Sequence, residues 1–313
     1  MDNSAKILVL GGINMGLITR ASRLPRPGET LRGERFYSSS GGKGATQAVA
    51  AARLGARVKM VGRVGDDLFG PALLKALRRD DIDVSDVAVD PDHATGVGVI
   101  VVDASGQNHV LATYGANLQC NDEQLEAVQH NLPNADVLVL QMEIPFEVSV
   151  RAARAAQERG VRVILDPAPA AVIPAEVYPH LDIVAPNQTE AEFHTGIVVD
   201  DVEAARKAAA VLRQKGVGVA IIKMAELGVY FESVEGSGFV PPFCVEAVDT
   251  TSAGDAFHGA LAVALAEGRC LEDGIRFGAA AGALAVTRPG VQDAMPTRAE
   301  VEALLGDPAW RTE

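Results

Sequence analysis

Aromatic residues are scarce in this sequence: Phe, Trp and Tyr make up 4% of its 313 residues. Sandwiches and barrels draw heavily on aromatic and β-branched side chains, so the shortage argues against an all-β protein. Abundant Ala and Gly instead suit helices packed closely on a sheet. Cysteine is also rare. Cys120, Cys244 and Cys270 lie far apart, form no CxxC pair and are odd in number, which gives no disulfide framework or zinc spacing and predicts reduced thiols. No apolar run approaches the ~18 residues of a membrane span. The first such run, in MDNSAKILVLGG, is four residues long and too short for the apolar region of a signal peptide. A cytoplasmic protein without a membrane partner is expected. Positive charge is the remaining deficit: 28 Lys and Arg stand against 41 Asp and Glu, a net charge of −13, and no basic run could neutralise a phosphate backbone. Nucleic acid is therefore not an expected partner. An anionic small substrate remains compatible, because a few local donors and a metal ion can reverse the field inside one cleft.

What is present points to an α/β protein. With 48% hydrophobic and 22% charged residues the chain can build a compact core. Short β-rich runs at 6–10, 58–62, 137–141, 161–165, 183–186 and 219–223 alternate with Ala-rich helical patterns, among them 146–159, 201–214 and 271–286. Several strands are apolar throughout, as expected where both faces of a mostly parallel sheet are covered. The alternation runs on without a linker, so residues 1–313 are read as a single domain. Two stretches break the rhythm. Residues 20–40 are polar with Pro25, Pro27 and Gly28, and residues 95–113 read as two β-runs joined by the turn-forming DASG. Both suggest strands outside the parallel core, a lid over a site contributed by about 15–40 and 95–113, or else an ordinary edge hairpin.

The strongest chemical signal is DTTSAGDAFHGALAVALAEG at 249–268. Its small residues Ser252, Ala253 and Gly254 precede a helix expected to be amphipathic, so free backbone N–H groups would converge on one anion-sized hollow. Asp255 would stand in the first helical turn beside it, placed either to accept a proton from an attacking hydroxyl or simply to complement the helix dipole. A second signal, SSSGGKGATQAVAAARLGA at 38–56, lets glycine backbone approach a ligand closely, with Lys43 as a cationic donor; helix packing alone is the plainer explanation. It is not a P-loop, because Tyr37 and Gly44 occupy the places of the required Gly and Ser or Thr. GGINMG at 11–16 lacks GxGxxG spacing, so a nicotinamide-dependent oxidoreductase is poorly supported.

Taken in order, GGIN, GGKGATQA, NQTE at 187–190 and DTTSAGD resemble the signatures of the ribokinase (PfkB-type) sugar kinases, and the similarity extends from residue 11 to VTRPG at 290, through RPGET, TGVGVIVVD and LDPAPA. The resemblance implies a ribokinase-like three-layer α/β/α fold with a small β lid, and an ATP-dependent kinase acting on the primary hydroxyl of a small sugar. Ribose, giving ribose 5-phosphate, is the nearest substrate; deoxyribose, another sugar or a nucleoside are the alternatives. It further implies Asp255 as catalytic base, with the N–H groups of Ala253, Gly254 and Asp255 as anion hole. Asn14, Gly42, Lys43 and Glu143 match sugar-contacting positions, and Asn187 and Glu190 the motif that orders Mg²⁺ and the ATP phosphates. Lys223 and Gly228, in KMAELG, fall on the nucleotide side with Gly254. Asp249, with backbone carbonyls of Thr251, Ala285, Arg288 and Gly290, matches a monovalent cation site, which implies K⁺ as an activator. Pairing of lid strands between subunits implies a homodimer.

Departures from the pattern bear on specificity. Asn14, Met15 and Gly16 stand where the family has Asn-x-Asp, so a carboxylate that would accept from a sugar diol is absent, and Thr46 replaces an Asn of the same pocket. Ala225 occupies a glycine position of the nucleotide turn, and Ala294 lacks a hydroxyl near the cation. A non-catalytic sugar or nucleotide sensor is the reading that Gly16 and Ala225 favour; the intact DTTSAGD opposes it.

Overall fold

A computed structural model describes residues 4–104 and 107–307. Its larger sheet has nine strands in the order β13-β12-β11-β10-β9-β8-β1-β4-β5. They are β1 (Lys6–Leu10), β4 (Arg57–Gly65), β5 (Asp83–Asp90), β8 (Val137–Leu140), β9 (Arg162–Leu165), β10 (Ile183–Val184), β11 (Val219–Lys223), β12 (Val229–Ser233) and β13 (Gly236–Val240). All neighbours run parallel except β12 and β13, which close one edge as an antiparallel hairpin. A smaller sheet, ordered β3-β2-β6-β7, contains β2 (Asn14–Arg20), β3 (Arg35–Gly41), β6 (Gly96–Val102) and β7 (Asn108–Thr113). This is the expected lid, except that 21–34 is not strand; of the DASG turn, Ser105 and Gly106 lie outside the described residues.

The helices are α1 (Lys43–Arg53), α2 (Phe69–Arg79), α3 (Asp122–Asn131), α4 (Phe146–Gln157), α5 (Gln188–Thr195), α6 (Val202–Gln214), α7 (Ala253–Ala266), α8 (Leu271–Ala285) and α9 (Arg298–Gly306). Two cores account for the unbroken apolar strands. Successive side chains alternate across a strand, so Ile7 and Val9 join the core under α1, α2, α7 and α8, while Leu8 and Leu10 join the one under α3, α4 and α6. Val137 and Val139 divide from Leu138 and Leu140 in the same way. The result is a three-layer α/β/α body.

One expectation is corrected. Helix α7 is buried on every side from Asp255 to Leu265, not amphipathic, because it lies between the sheet, α1 and α8. Its contact with α1 is close: a Cβ on Gly259 would come within 2.6 Å of Ala50 Cβ and 2.7 Å of the Gln47 carbonyl. The cysteines are free thiols, as their spacing predicts. No helix among the described residues is long and apolar enough to cross a membrane.

Candidate active site

Parallel strands end together, and the polar residues that follow them share one crevice. Gln141 and Glu143 follow β8, Asp166 follows β9, Asn187 follows β10, and Lys223 ends β11. The N-termini of α1 and α7 enter the same crevice and bring Lys43, Gln47 and Asp255. Gly42 caps α1 with φ 88, and a Cβ there would lie 2.5 Å from the Gly12 carbonyl and 2.6 Å from the Asn14 nitrogen. Only glycine lets this turn cross the 12–14 backbone in that conformation.

A chain of buried amides holds the two acids. Gln141 Nε2 donates to Gln47 Oε1 at 2.7 Å, and Gln47 Nε2 donates to Asp166 Oδ2 at 2.9 Å and to Asp255 Oδ1 at 3.0 Å. Lys43 Nζ stands 3.7 Å from Asp166 Oδ2, and Lys223 Nζ 3.8 Å from Asp166 Oδ1. Burial and the nearby Asp166 charge push Asp255 up to about 6, against the pull of Lys43. Burial also raises Glu143, to about 7, although it accepts from the Lys43 backbone N–H at 2.7 Å. Asp166 goes the other way: burial opposes its charge, but Lys43, Lys223 and the Gln47 amide hold its carboxyl below the usual range. For Lys43, burial is outweighed by Asp166, Asp255 and Glu143, and the ammonium stays charged. The site therefore contains one fixed carboxylate between two cations, and two acids, Asp255 and Glu143, whose protons move near neutral pH.

Beside Asp255 the start of α7 is uncapped. Ser252 makes no side-chain cap, and Ala253 N reaches the Thr250 carbonyl only at 3.5 Å. The N–H groups of the first turn lack intrahelical acceptors, so those of Gly254 and Asp255 are available to an anion. Lys223 Nζ comes within 3.4 Å of where a Gly254 Cβ would stand, which adds a positive charge to the same spot. A cavity of about 600 Å³ opens here, lined among others by Asn187, Lys223, Ala225, Gly228, Gly254 and Asp255.

The motif residues divide between this crevice and its surroundings. Lys43, Glu143, Lys223, Gly254 and Asp255 converge, and Asn14 joins through Asn117, whose Nδ2 donates to Asn14 Oδ1 at 2.7 Å. Glu143 is a strand-end residue, yet buried. Asn187 and Glu190 form a capping box at the start of α5, with Glu190 accepting from Asn187 N at 2.8 Å and Nδ2 at 2.9 Å. Asp249 lies apart. Its Oδ1 accepts from Thr251 N at 3.0 Å and its Oδ2 from Gly290 N at 3.4 Å, which ties the approach to α7 to the loop after Ala285, while Arg288 turns away to Glu300 at 2.9 Å. Asp166, Gln47, Gln141 and His258 were not singled out from the sequence. For Asp166 a signal existed, an acid directly after an apolar strand; the others depend on how α1 meets α7.

The chain matches the family described as pfkB family carbohydrate kinase over residues 4–298. It is 38% identical over 299 residues to a ribokinase of Haemophilus influenzae, covering 96% of this chain and 98% of that one. It is 35% identical over 292 residues to a deoxyribokinase of Salmonella typhi, covering 93% and 95%. The fold overlays that of Arabidopsis thaliana ribokinase, solved with ribose and ATP, with a TM-score of 0.89, 32% identity, and 97% and 99% of the two chains covered. An acid and an uncapped helix start facing one cavity, on a fold and sequence shared along nearly the whole length, lead to one conclusion: the chain belongs to the pfkB family of carbohydrate kinases.

Proposed function

We propose that this kinase transfers the γ-phosphoryl group of ATP to the primary hydroxyl of ribose, giving ribose 5-phosphate. The observation that carries the reading is Asp255, buried beside free N–H groups of α7 and titrating at about 6, close to where a general base works best. Asp255 takes the hydroxyl proton as the oxygen attacks. Charge on the transferring group is met by the N–H groups of Ala253 to Asp255 and by Lys223. Asp166 holds Lys43 and Lys223 on the two sides of this point. ATP fits the cavity that Asn187, Ala225 and Gly228 border, and the ribokinase relatives favour ribose as acceptor.

Two ions belong to the reading. Among the described residues no three His, Cys, Asp or Glu side chains converge as a metal cage. That suits Mg²⁺, which is usually shared between substrate phosphates, waters and one or two carboxylates, here Glu190 with Asn187 beside it. It would neutralise phosphate charge. The donors that the family resemblance assigns to the cation, the Asp249 carboxylate and peptide carbonyls of Thr251, Ala285, Arg288 and Gly290, are hard oxygens suited to K⁺, which would stiffen the loop that Asp249 ties to α7. A homodimer is also proposed: Phe36 on β3 and Val110 and Leu111 on β7 leave apolar surface on the outer strands of the lid. Sedimentation should then give twice the chain mass.

The main test is ADP release with ATP, Mg²⁺ and a panel of pentoses, hexoses and nucleosides. Ribose should have the highest kcat/KM, and the rate should fall when tetramethylammonium replaces K⁺. A higher value for a hexose or a nucleoside would reject ribose as substrate. Deoxyribose is the second reading, favoured by Gly16, which places no acceptor opposite a hydroxyl.

A further inference from the structure

His258 is a buried ionisable group to which the mechanism above gives no task. It sits on α7 one turn beyond Gly254, fully buried. Its Nδ1 lies 2.7 Å from the Gly254 carbonyl oxygen. A carbonyl can only accept, so Nδ1 carries the proton and Nε2 is the bare nitrogen. Nε2 stands 3.7 Å from Asp166 Oδ1 and has no hydrogen-bond partner among the described residues. Burial keeps the ring neutral by pushing its pKa down to about 4.

The Gly254 carbonyl and the Asp255 N–H belong to one planar peptide unit and point in opposite directions. Fixing the carbonyl down the helix therefore fixes the N–H up into the cavity. The carbonyl already takes the helix's own bond from the His258 backbone N–H, and the ring adds a second donor to the same oxygen, at a residue that carries no side chain to resist rotation of the unit. A donor on the carbonyl also polarises the amide and makes the N–H at its other end a better donor. We infer that His258 is a positioning residue for the anion hole: by donating from Nδ1 to the Gly254 carbonyl it locks the Gly254–Asp255 peptide with its N–H aimed at the transferring phosphoryl group. Through the same peptide it sets the backbone that carries the Asp255 carboxylate. The inference rests on reading Ala253 to Asp255 as the anion hole.

Three variants and one spectrum test it. His258→Asn keeps an N–H near the Nδ1 position, whereas His258→Leu removes it at similar bulk. His258→Leu should lower kcat about tenfold, less than the ~10²–10³ of deleting an oxyanion donor outright, with KM for the sugar and for ATP nearly unchanged. Affinity for ADP with aluminium fluoride and ribose, which mimics the transition state, should fall by the same factor while ADP affinity holds. His258→Asn should restore most of both losses. Equal losses in folded Asn and Leu variants would overturn the donor role, and so would a folded Leu variant with wild-type kcat and analogue affinity. If the Leu variant does not fold, His258→Phe serves in its place. The wild type supplies an independent check by ¹⁵N spectra of labelled histidine, in which the His258 signals are those lost in His258→Asn. They should show a protonated Nδ1 and a bare Nε2 at neutral pH; the opposite tautomer rejects the inference. Wild-type enzyme that releases no ADP with any sugar, yet shows the expected tautomer, would instead reject the kinase assignment.

Discussion

The two ends of the crevice are built differently. Where the phosphoryl group would move, the acids are held in a connected chain: Gln141 holds Gln47, and Gln47 holds both Asp166 and Asp255. At the lid end polar groups are sparse. Asn14 Oδ1 is taken by Asn117, Gly16 offers no side chain, and Thr46 Oγ1 is buried without a partner among the described residues. Around the place of a Gly16 Cβ lie the Ile18 and Ile100 methyl tips and the Ser39 carbonyl. On the proposed reading, chemistry is fixed by a connected network, whereas substrate choice rests on a few side chains that can change one at a time. Damage at the first end should remove rate, and change at the second should redistribute it among sugars.

The largest effect is expected at the connected end. Asp255→Ala should lower kcat by ~10²–10⁴ with ATP binding nearly intact, measured by steady-state rates and calorimetry. A folded variant that kept more than about a tenth of wild-type kcat would show that Asp255 is not the base. The same end sets the pH profile. A base must be ionised, so kcat/KM for the sugar should fall as pH drops through the Glu143 value of about 7 and then the Asp255 value of about 6. Glu143→Gln keeps an acceptor for the Lys43 N–H and should leave the acid limb near about 6 alone. A wild-type rate flat down to about pH 5 would contradict an Asp255 proton that moves near neutrality.

An intermediate effect is expected at the lid end. A hydrogen bond to a charged acceptor contributes ~1.5–3 kcal/mol, so Gly16→Asp with Thr46→Asn should raise kcat/KM for ribose over 2-deoxyribose by roughly 10- to 100-fold. Gly16 lies on β2 two residues from Asn14, on the same face, and its φ is not in the left-handed region. A new Cβ would sit 3.3 Å from both the Ser39 carbonyl oxygen and Ile18 Cδ1, so the strands must move by a few tenths of an ångström. A thermal melt checks that they do. A folded double variant with no better preference for ribose would place sugar selection elsewhere.

The same division governs what could be read from sequence. Strands covered on both faces were legible: 6–10 and 219–223 coincide with β1 and β11. Strand β5, DVSDVAVD, is an edge strand with alternating exposure, and its three acids hide it from a search for apolar runs. The uncapped start of α7 was readable because small residues and an acid are a local pattern. The links Gln47–Asp255 and Gln47–Asp166 join residues 208 and 119 positions apart, and no local pattern encodes them. Even so, AFHGALAVALA has almost no polar face, so the full burial of α7 was visible in its composition.

The smallest effect concerns the nucleotide side, where the departure from the family pattern lies in the backbone and leaves the chemistry unchanged. Ala225 takes φ 50, in the left-handed region where a Cβ costs about 1–2 kcal/mol. It begins the turn that runs through Glu226 to Gly228 and borders the cavity. Ala225→Gly removes that strain but gives the unfolded chain more freedom, an opposing term of about 0.4–1 kcal/mol. The net gain is therefore about 0–1.6 kcal/mol, a rise in Tm of at most ~5 °C. KM for ATP should fall slightly, because the turn no longer has to be held in a strained form when the phosphates arrive. The sugar preference should not move, since the proposed function places Ala225 against the nucleotide and the sugar at the lid. A lower Tm would show that the Ala225 methyl makes packing contacts worth more than the strain, and a shift in sugar preference would show that the two ends of the crevice are coupled.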